Sequence, residues 1–483
     1  MIAWVGVVMV LITGLAVWAR LVTPQVPAPT LAVVPMLGIA ATAAWMGLLD
    51  LINIAWSPLA LVSLPAAALA TWLLGTRRMP RLNRPDAWLL TAVGAAAAHM
   101  TLLAAMPSFG WDFRYNWGLK AQVFAAAGRH DGAWLASAAH AFVHPSYPPL
   151  WSDLLAHGIL LGGTEAAVAA AWQAVLAGGL ATACWALAKP GPRWARALAA
   201  GCGAWPMVLF WPRYSGFAEP LLAYLVAIGL LAVERADGKA QVWIVAPAAA
   251  CLALSKQEGI ALGLGILLAA WRVMPRRRAV LAAAVWAAAV AAWQVFLASH
   301  GIHSDEYNLG FSRILTHAVA LGPSLVAASK PKYLVLLAVW ALAGLGLRRA
   351  ATLGLRRVLA VWAAAVVGAY LTTNADLTWH LFTSLDRVLA VPLPATLAVL
   401  IGAQFNRQGP DHGEQYRSGI WYVNDKQKRE AEAYIKELRA ADRYDGRKIV
   451  TQVEAAKTFW PAEDYHQDYI AKTGAACHVK NPW

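Results

Sequence analysis

Asp112 stands in the segment SFGWDFRYNWGLKAQ, between Trp111 and Phe113, with Arg114, Tyr115, Trp117 and Lys120 close behind. A carboxylate among aromatic rings is a proton acceptor shielded from water, and the flat rings suit the faces of a sugar. Further along, HPSYPPL supplies His144 and Tyr147. Pro148 and Pro149 suit the first turn of a helix, which would bring His144 and Tyr147 back toward Asp112. Cations follow at Arg213, Lys256 and Arg387. Separated cations are what a phosphate leaving group requires. Asp112 is therefore the expected base, with His144 and Tyr147 beside it and the three cations as phosphate ligands.

The elements that must position these residues are apolar. The chain has 483 residues, 59% hydrophobic and 14% charged, with mean hydropathy +0.50 and 25 Trp. Such values exclude a disordered chain and an ordinary soluble domain. Apolar runs fall at 2–19, 30–50, 57–76, 85–107, 165–188, 194–211, 217–233, 242–255, 258–273, 279–299, 331–347, 358–374 and 388–403. They predict an all-α polytopic membrane protein of 11–13 transmembrane helices. The first run lacks the basic flank and cleavage site of a signal peptide, which predicts a retained helix. Lys256 lies in a break, SKQE, between two short runs. Cys184, Cys202 and Cys251 sit inside apolar runs and read as core. No cysteine framework or metal-ligand spacing occurs.

Basic residues cluster at Arg77–Arg84, Lys189–Arg196, Arg235–Lys239, Arg272–Arg278 and Arg348–Arg357. Placing these clusters in the cytoplasm gives a consistent alternation, with loop 108–146 outside and residue 404 inside. The segments 147–162 and 313–330 then read as interfacial or re-entrant helices on the outer face. The outer side collects Asp112, Asp131, Asp153, Glu219, Glu258, Asp305, Asp376 and Asp386, which predicts a shared polar cavity. The net charge of +14 is a topology signal, and no nucleic-acid partner is expected.

WDFRYNW, HPSYPPL, AEP at 218–220 and SKQEG at 255–259 together resemble the GT-C superfamily of polytopic membrane glycosyltransferases, over residues 80–400. The resemblance implies a polyprenyl-phosphate sugar donor, transfer on the extracytoplasmic face of a bacterial-type inner membrane, and Asp112 as base or metal-site carboxylate. A divalent metal is compatible with it, but Arg114 stands where a second acidic residue often lies. Three runs precede the loop, more than the family's usual one. A non-catalytic membrane protein or transporter is the competing class, for which the break at 255–259 speaks.

The composition changes at Gln404. Residues 404–483 hold 13 Lys/Arg and 12 Asp/Glu, against 27 and 14 in the preceding 403. SGIWYV and KIVTQVE read as strands, and 425–440 as an amphipathic helix. FNRQGPDHGEQYRSGIWY, KTFWPAEDYHQDYI and CHVKNPW closely resemble the C-terminal half of peptide methionine sulfoxide reductase A. The resemblance implies a small α+β fragment, with Asp411 and Tyr416 holding the sulfoxide, AEDYHQ at Glu463–His466, and Cys477 as a resolving cysteine. The family's nucleophilic cysteine, in a GCFW motif, is absent from this chain. A thiolate must attack the sulfoxide sulfur. The expectation is a membrane body, 1–403, joined to a truncated, inactive reductase fragment, 404–483, as recombination or a frameshift would leave it. The alternative is a thiol-dependent peptide-methionine (S)-S-oxide reductase supplied by a thioredoxin-like partner. The topology places the tail in the reducing cytoplasm.

Overall fold

Runs of alanine, leucine and valine cannot satisfy their backbone in an apolar medium except as helices. In the computed structural model such runs are helical throughout the described residues. These are 3–21, 30–75, 110–189, 191–209, 216–235, 239–304, 306–350 and 353–403, with 87, 89–91, 93–95 and 97–98. In the tail they are 407–408, 411–412, 418–441, 449, 451–456, 458, 461, 463–464 and 467–473. The helices are α1 (Ala3–Leu21), α2 (Thr30–Leu51) and α3 (Pro58–Gly75), then α4 (Gly118–Ala127), α5 (Gly132–Ala136) and α6 (Leu150–Leu160). They continue with α7 (Glu165–Leu187), α8 (Arg193–Leu209), α9 (Glu219–Arg235), α10 (Lys239–Ser255) and α11 (Gln257–Ala270). The rest are α12 (Arg276–Ser299), α13 (Phe311–Ala327), α14 (Pro331–Ala350), α15 (Leu353–Thr372), α16 (Leu377–Ala390) and α17 (Leu393–Ala403). Most of the expected run 85–107 and the basic cluster Arg77–Arg84 lie outside the described residues.

Among the described residues five stretches, 32–51, 165–187, 276–299, 353–372 and 377–403, are long and apolar enough to cross a membrane. Helix α12 exposes most of its side chains, although its mean hydropathy is among the highest. That combination suits lipid rather than water. The centre of the bundle is α7, α9 and α10, whose residues are largely buried.

Small residues set the closest crossing. A Cβ at Gly14 would lie 2.1 Å from the Val34 carbonyl oxygen, and one at Gly38 would lie 2.0 Å from that of Val10. Helices α1 and α2 therefore meet backbone to backbone, as glycine permits. Within α2, Pro35 interrupts the helix. The Tyr224 hydroxyl enters there, accepting from the Met36 N–H at 3.0 Å and donating to the Ala32 carbonyl at 2.5 Å. A side chain of α9 thus completes the hydrogen bonding of α2.

Between α3 and α7 the chain folds into short pieces. Residues Phe113–Trp117 form a π-helical turn. Gly128, at φ 66°, ends α4. Asp131 caps α5 by accepting from the Trp134 N–H at 2.8 Å. Helix α6 is buried along Leu150–Gly158, packed beneath α4. Its apolar composition is used inside the bundle. Helix α13 is amphipathic: His317 and Ser324 are buried while Phe311, Leu315, Val319 and Val326 are exposed.

His130 pins this folded segment to the bundle. Its Nδ1 is 2.5 Å from Asp50 on α2, and its Nε2 is 2.9 Å from Asp153 on α6. The rings of Trp56, Phe124, Trp293 and Phe296 enclose it.

In the tail, β1 (Arg407–Gln408) pairs antiparallel with β2 (Asp411–His412). Strand β3 (Gly419–Tyr422) pairs in parallel with β4 (Gln452–Ala455), in the register Gly419 to Gln452. The crossover is α18 (Asp425–Ala440), followed after β4 by α19 (Tyr469–Thr473). Asn424 accepts from the Gln427 N–H at 3.0 Å while the Gln427 side chain accepts from the Val423 N–H at 2.8 Å. This reciprocal cap explains where α18 starts.

Burial alone would lower the His130 pKa, but Asp153 and Asp50 overcome it and raise the value from 6.5 to about 10. A group raised in the folded state stabilises fully below its unfolded value and loses that effect as pH climbs through its folded one. The His130 contribution is therefore complete below about pH 6.5 and fades toward pH 10. His130→Ala should cost about 3–5 kcal/mol, because two carboxylates lose their cation. Unfolding in detergent across this pH window checks both, and the difference between wild type and variant should shrink at the alkaline end.

Candidate functional site

Helix ends converge on one cavity of about 750 Å³. Its walls include Asp112, His144, Tyr147, Lys256 and Arg387, drawn from four distant parts of the chain. Five of the six site residues expected in the apolar part are thus brought together. Arg213 lies outside the described residues, as do Tyr416 and Cys477 of the tail. The backbone of Asp411 pairs with Gln408 in the small β1–β2 ladder. Of the AEDYHQ segment, Tyr465 and His466 lie outside the described residues.

Asp112 precedes the π-helical turn, and its neighbour Phe113 is buried. Gly216 makes room for that ring: a Cβ there would lie 2.1 Å from Phe113 Cδ2, and φ is 84°. Both facts favour glycine. The Trp111 and Tyr115 rings tilt against each other at 4.1 Å. Trp111 and Trp379 are both exposed where they line the cavity.

The charged residues form a chain of contacts. Arg387, on α16, places Nη1 2.5 Å from Asp112 Oδ2 and 3.5 Å from Glu219 Oε1. Lys256 Nζ lies 3.0 Å from the same Glu219 oxygen and 2.7 Å from Glu258 Oε1. The two cations expected to await a phosphate are therefore held by carboxylates. Burial of Glu219, Lys256 and Arg387 makes this necessary, since each isolated charge would be too costly. The Arg387 guanidinium also sits over the Phe217 ring at 5.1 Å. Glu219 and Glu258 occupy the first turns of α9 and α11, where the helix dipole favours negative charge.

His144 forms a second polar centre. Its backbone is left-handed, with φ 49°. Nδ1 lies 2.5 Å from Glu306 Oε1, and the ring stacks on Tyr147 at 4.7 Å. Lys120 donates to the His144 carbonyl at 2.7 Å. Burial lowers the Lys120 pKa from 10.5 to about 7, with Glu306 acting in the opposite sense. Glu306, Tyr307, Tyr370 and His380 were not singled out from the sequence. Glu306 lies in SDEY, where the sequence reading drew attention only to Asp305.

Among the described residues no group of three or more His, Cys, Asp or Glu side chains is arranged to hold a metal. Beside Asp112, a guanidinium takes the place a cation would take. The described residues beside Asp112 do not supply the donor set of a divalent ion.

Residues 401–482 match the family described as Peptide methionine sulfoxide reductase. The chain is 54% identical over 77 residues to Peptide methionine sulfoxide reductase MsrA of Acidobacterium capsulatum, covering 16% of this chain and 49% of that protein. It is 48% identical over 79 residues to the MsrA of Streptomyces avermitilis, covering 16% and 46%. The chain spans about half the length of these curated relatives. No solved structure matches the chain. The C-terminal region resembles MsrA; the matched segments do not extend to the cavity.

Lys256→Met should cost about 3–5 kcal/mol by stranding Glu258 and leaving Glu219 with Arg387 alone, at 3.5 Å. Adding Glu219→Gln to that variant should restore part of the loss, because that weakly paired charge is removed. Thermal unfolding of the detergent-solubilised single and double variants checks the order.

Proposed function

We propose that residues 1–403 form a membrane-embedded glycosyltransferase, of GT-C type, that moves a sugar from a polyprenyl-phosphate donor on the extracytoplasmic face. The observation that carries this reading is the gathering of Asp112, Arg387, Lys256 and aromatic rings around one cavity. Arg387 engages Oδ2 of Asp112, so Oδ1 is the oxygen to take the proton of an acceptor hydroxyl. Lys256 has three donors, of which Glu219 and Glu258 take two, and the third suits a phosphate oxygen. Exposed Trp111, Leu309 and Trp379 offer an apolar rim to the lipid of the donor.

We infer that residues 404–483 are a reductase fragment without turnover. The match at residues 401–482 supports the resemblance. The chain's cysteines are Cys184, Cys202, Cys251 and Cys477, and none stands in a GCFW motif. Cys184 and Cys251 are buried in the helical bundle. Residues that polarise a sulfoxide do not replace the attacking thiolate, whose placement inside the site supplies several kcal/mol. A thioredoxin-like thiol would be the reductant of an active form.

Asp112→Asn keeps the side-chain shape and removes the proton acceptor. It should lower transfer from a polyprenyl-phosphate sugar by ~10²–10⁴-fold. Transfer within threefold of wild type would remove Asp112 as base. For the tail, the full chain should show no reduction of methionine sulfoxide peptides with dithiothreitol above buffer. Turnover that disappears in Cys477→Ser would establish the reductase reading instead.

A further inference from the structure

We propose that His144 and Glu306 form a proton-accepting dyad in the cavity, with Glu306 and Lys120 as its positioning residues. The proposal deepens the sugar-transfer reading and rests on it for the hydroxyl acceptor and the lipid-phosphate leaving group.

His144 is held at every part of the residue. Its φ of 49° is unusual for any side chain and is more so before a proline, which favours extended backbone. Such a conformation persists only where the surroundings impose it. Lys120 does so from the inside, donating to the His144 carbonyl at 2.7 Å. The indole N–H of Trp293 donates to the nearby Ser146 carbonyl at 3.0 Å. The ring stacks on Tyr147 with 20° between planes.

Glu306 fixes the ring's remaining freedom. Its own backbone is clamped to the α15–α16 turn: the Asn374 N–H donates to the Glu306 carbonyl at 2.8 Å, and the Asn308 N–H donates to the Thr372 carbonyl at 2.6 Å. The carboxylate accepts from Nδ1 at 2.5 Å. With its proton on Nδ1, the neutral ring carries its lone pair on Nε2, the atom left for a molecule in the cavity that His144 lines. In transfer, the proton that Asp112 Oδ1 takes from the acceptor hydroxyl passes on to Nε2, both groups lining the same cavity. The hydroxyl oxygen forms the bond to the anomeric carbon, and the carbon–oxygen bond to phosphate breaks with its electron pair on the departing lipid phosphate. The imidazolium formed is paired with Glu306.

The titratable groups facing His144 are Glu306, Lys120 on α4, Tyr147 on its own turn and His380 on α16. Among the described residues only Glu306 contacts the ring as a carboxylate. The test is diethylpyrocarbonate modification of the full chain in detergent, read at His144 by peptide mass spectrometry as a time course at one fixed pH. Glu306→Gln should raise the modification rate at His144 by about threefold or more, because the ring loses the acceptor that holds it at Nδ1, and Glu306→Asp should bring it back. Glu306→Gln time courses that overlie wild type would overturn the dyad, whatever the transfer assay gives. In the transfer assay His144→Gln should lose at least about 100-fold. A smaller loss with an active wild type would remove His144 as acceptor. A wild type that transfers no sugar would instead sink the sugar reading, leaving the modification curves to decide the dyad.

Discussion

Asp112, Arg387, Glu219, Lys256 and Glu258 hold one another inside a bundle of alanine, leucine and valine, and the rest of the cavity follows from the cost of putting them there. Moving one such charge from water to an apolar interior costs several kcal/mol even after relaxation. The cost is met only where opposite charges touch. Contact in turn requires helix ends to meet, because the side chains involved are anchored on α9, the α10–α11 break, α16 and the π-helical turn. The break at Lys256 is tight: a Cβ at Gly259 would lie 1.9 Å from the Leu252 carbonyl oxygen. A glycine there lets α11 turn against α10 and keeps Lys256 within reach of both Glu219 and Glu258.

The same logic explains why the irregular part of the chain, 110–149, is so firmly fastened. A short helix or turn has few internal hydrogen bonds to resist displacement. Its position here comes from buried polar anchors, with His130 tying it to α2 and α6 and Lys120 tying its far end to His144. Both anchors are enclosed by aromatic rings, which exclude competing water. A cavity built from loops thereby acquires walls as fixed as those contributed by helices.

Apolar length is a local property, and it was legible. The runs 165–188, 279–299 and 331–347 correspond to Glu165–Leu187, Arg276–Ser299 and Pro331–Ala350. Helix α18 and strands β3 and β4 of the tail followed from periodicity. Charge pairing is not local. Lys256 and Arg387 read as open cations because nothing in a one-dimensional string says that Glu219 and Asp112 will stand beside them. For the same reason Glu306, 162 positions from His144, carried no signal. Helix α6 read as interfacial or re-entrant because its composition does not say which elements will cover it. Its burial is decided by α4 folding over it.

The tail shows the opposite relation between pattern and action. Its motifs are dense, and its similarity to MsrA is high where it exists. Among the described residues β3 and β4 form a two-stranded parallel sheet, and Ile420, Trp421 and Val423 at β3 are exposed. Parallel strands are stable when both faces are covered. A sulfoxide is reduced by a thiolate attacking its sulfur and not by the groups that orient it. A likeness confined to residues 401–482 therefore carries no argument about the cavity, where buried charges compensate one another among helix ends.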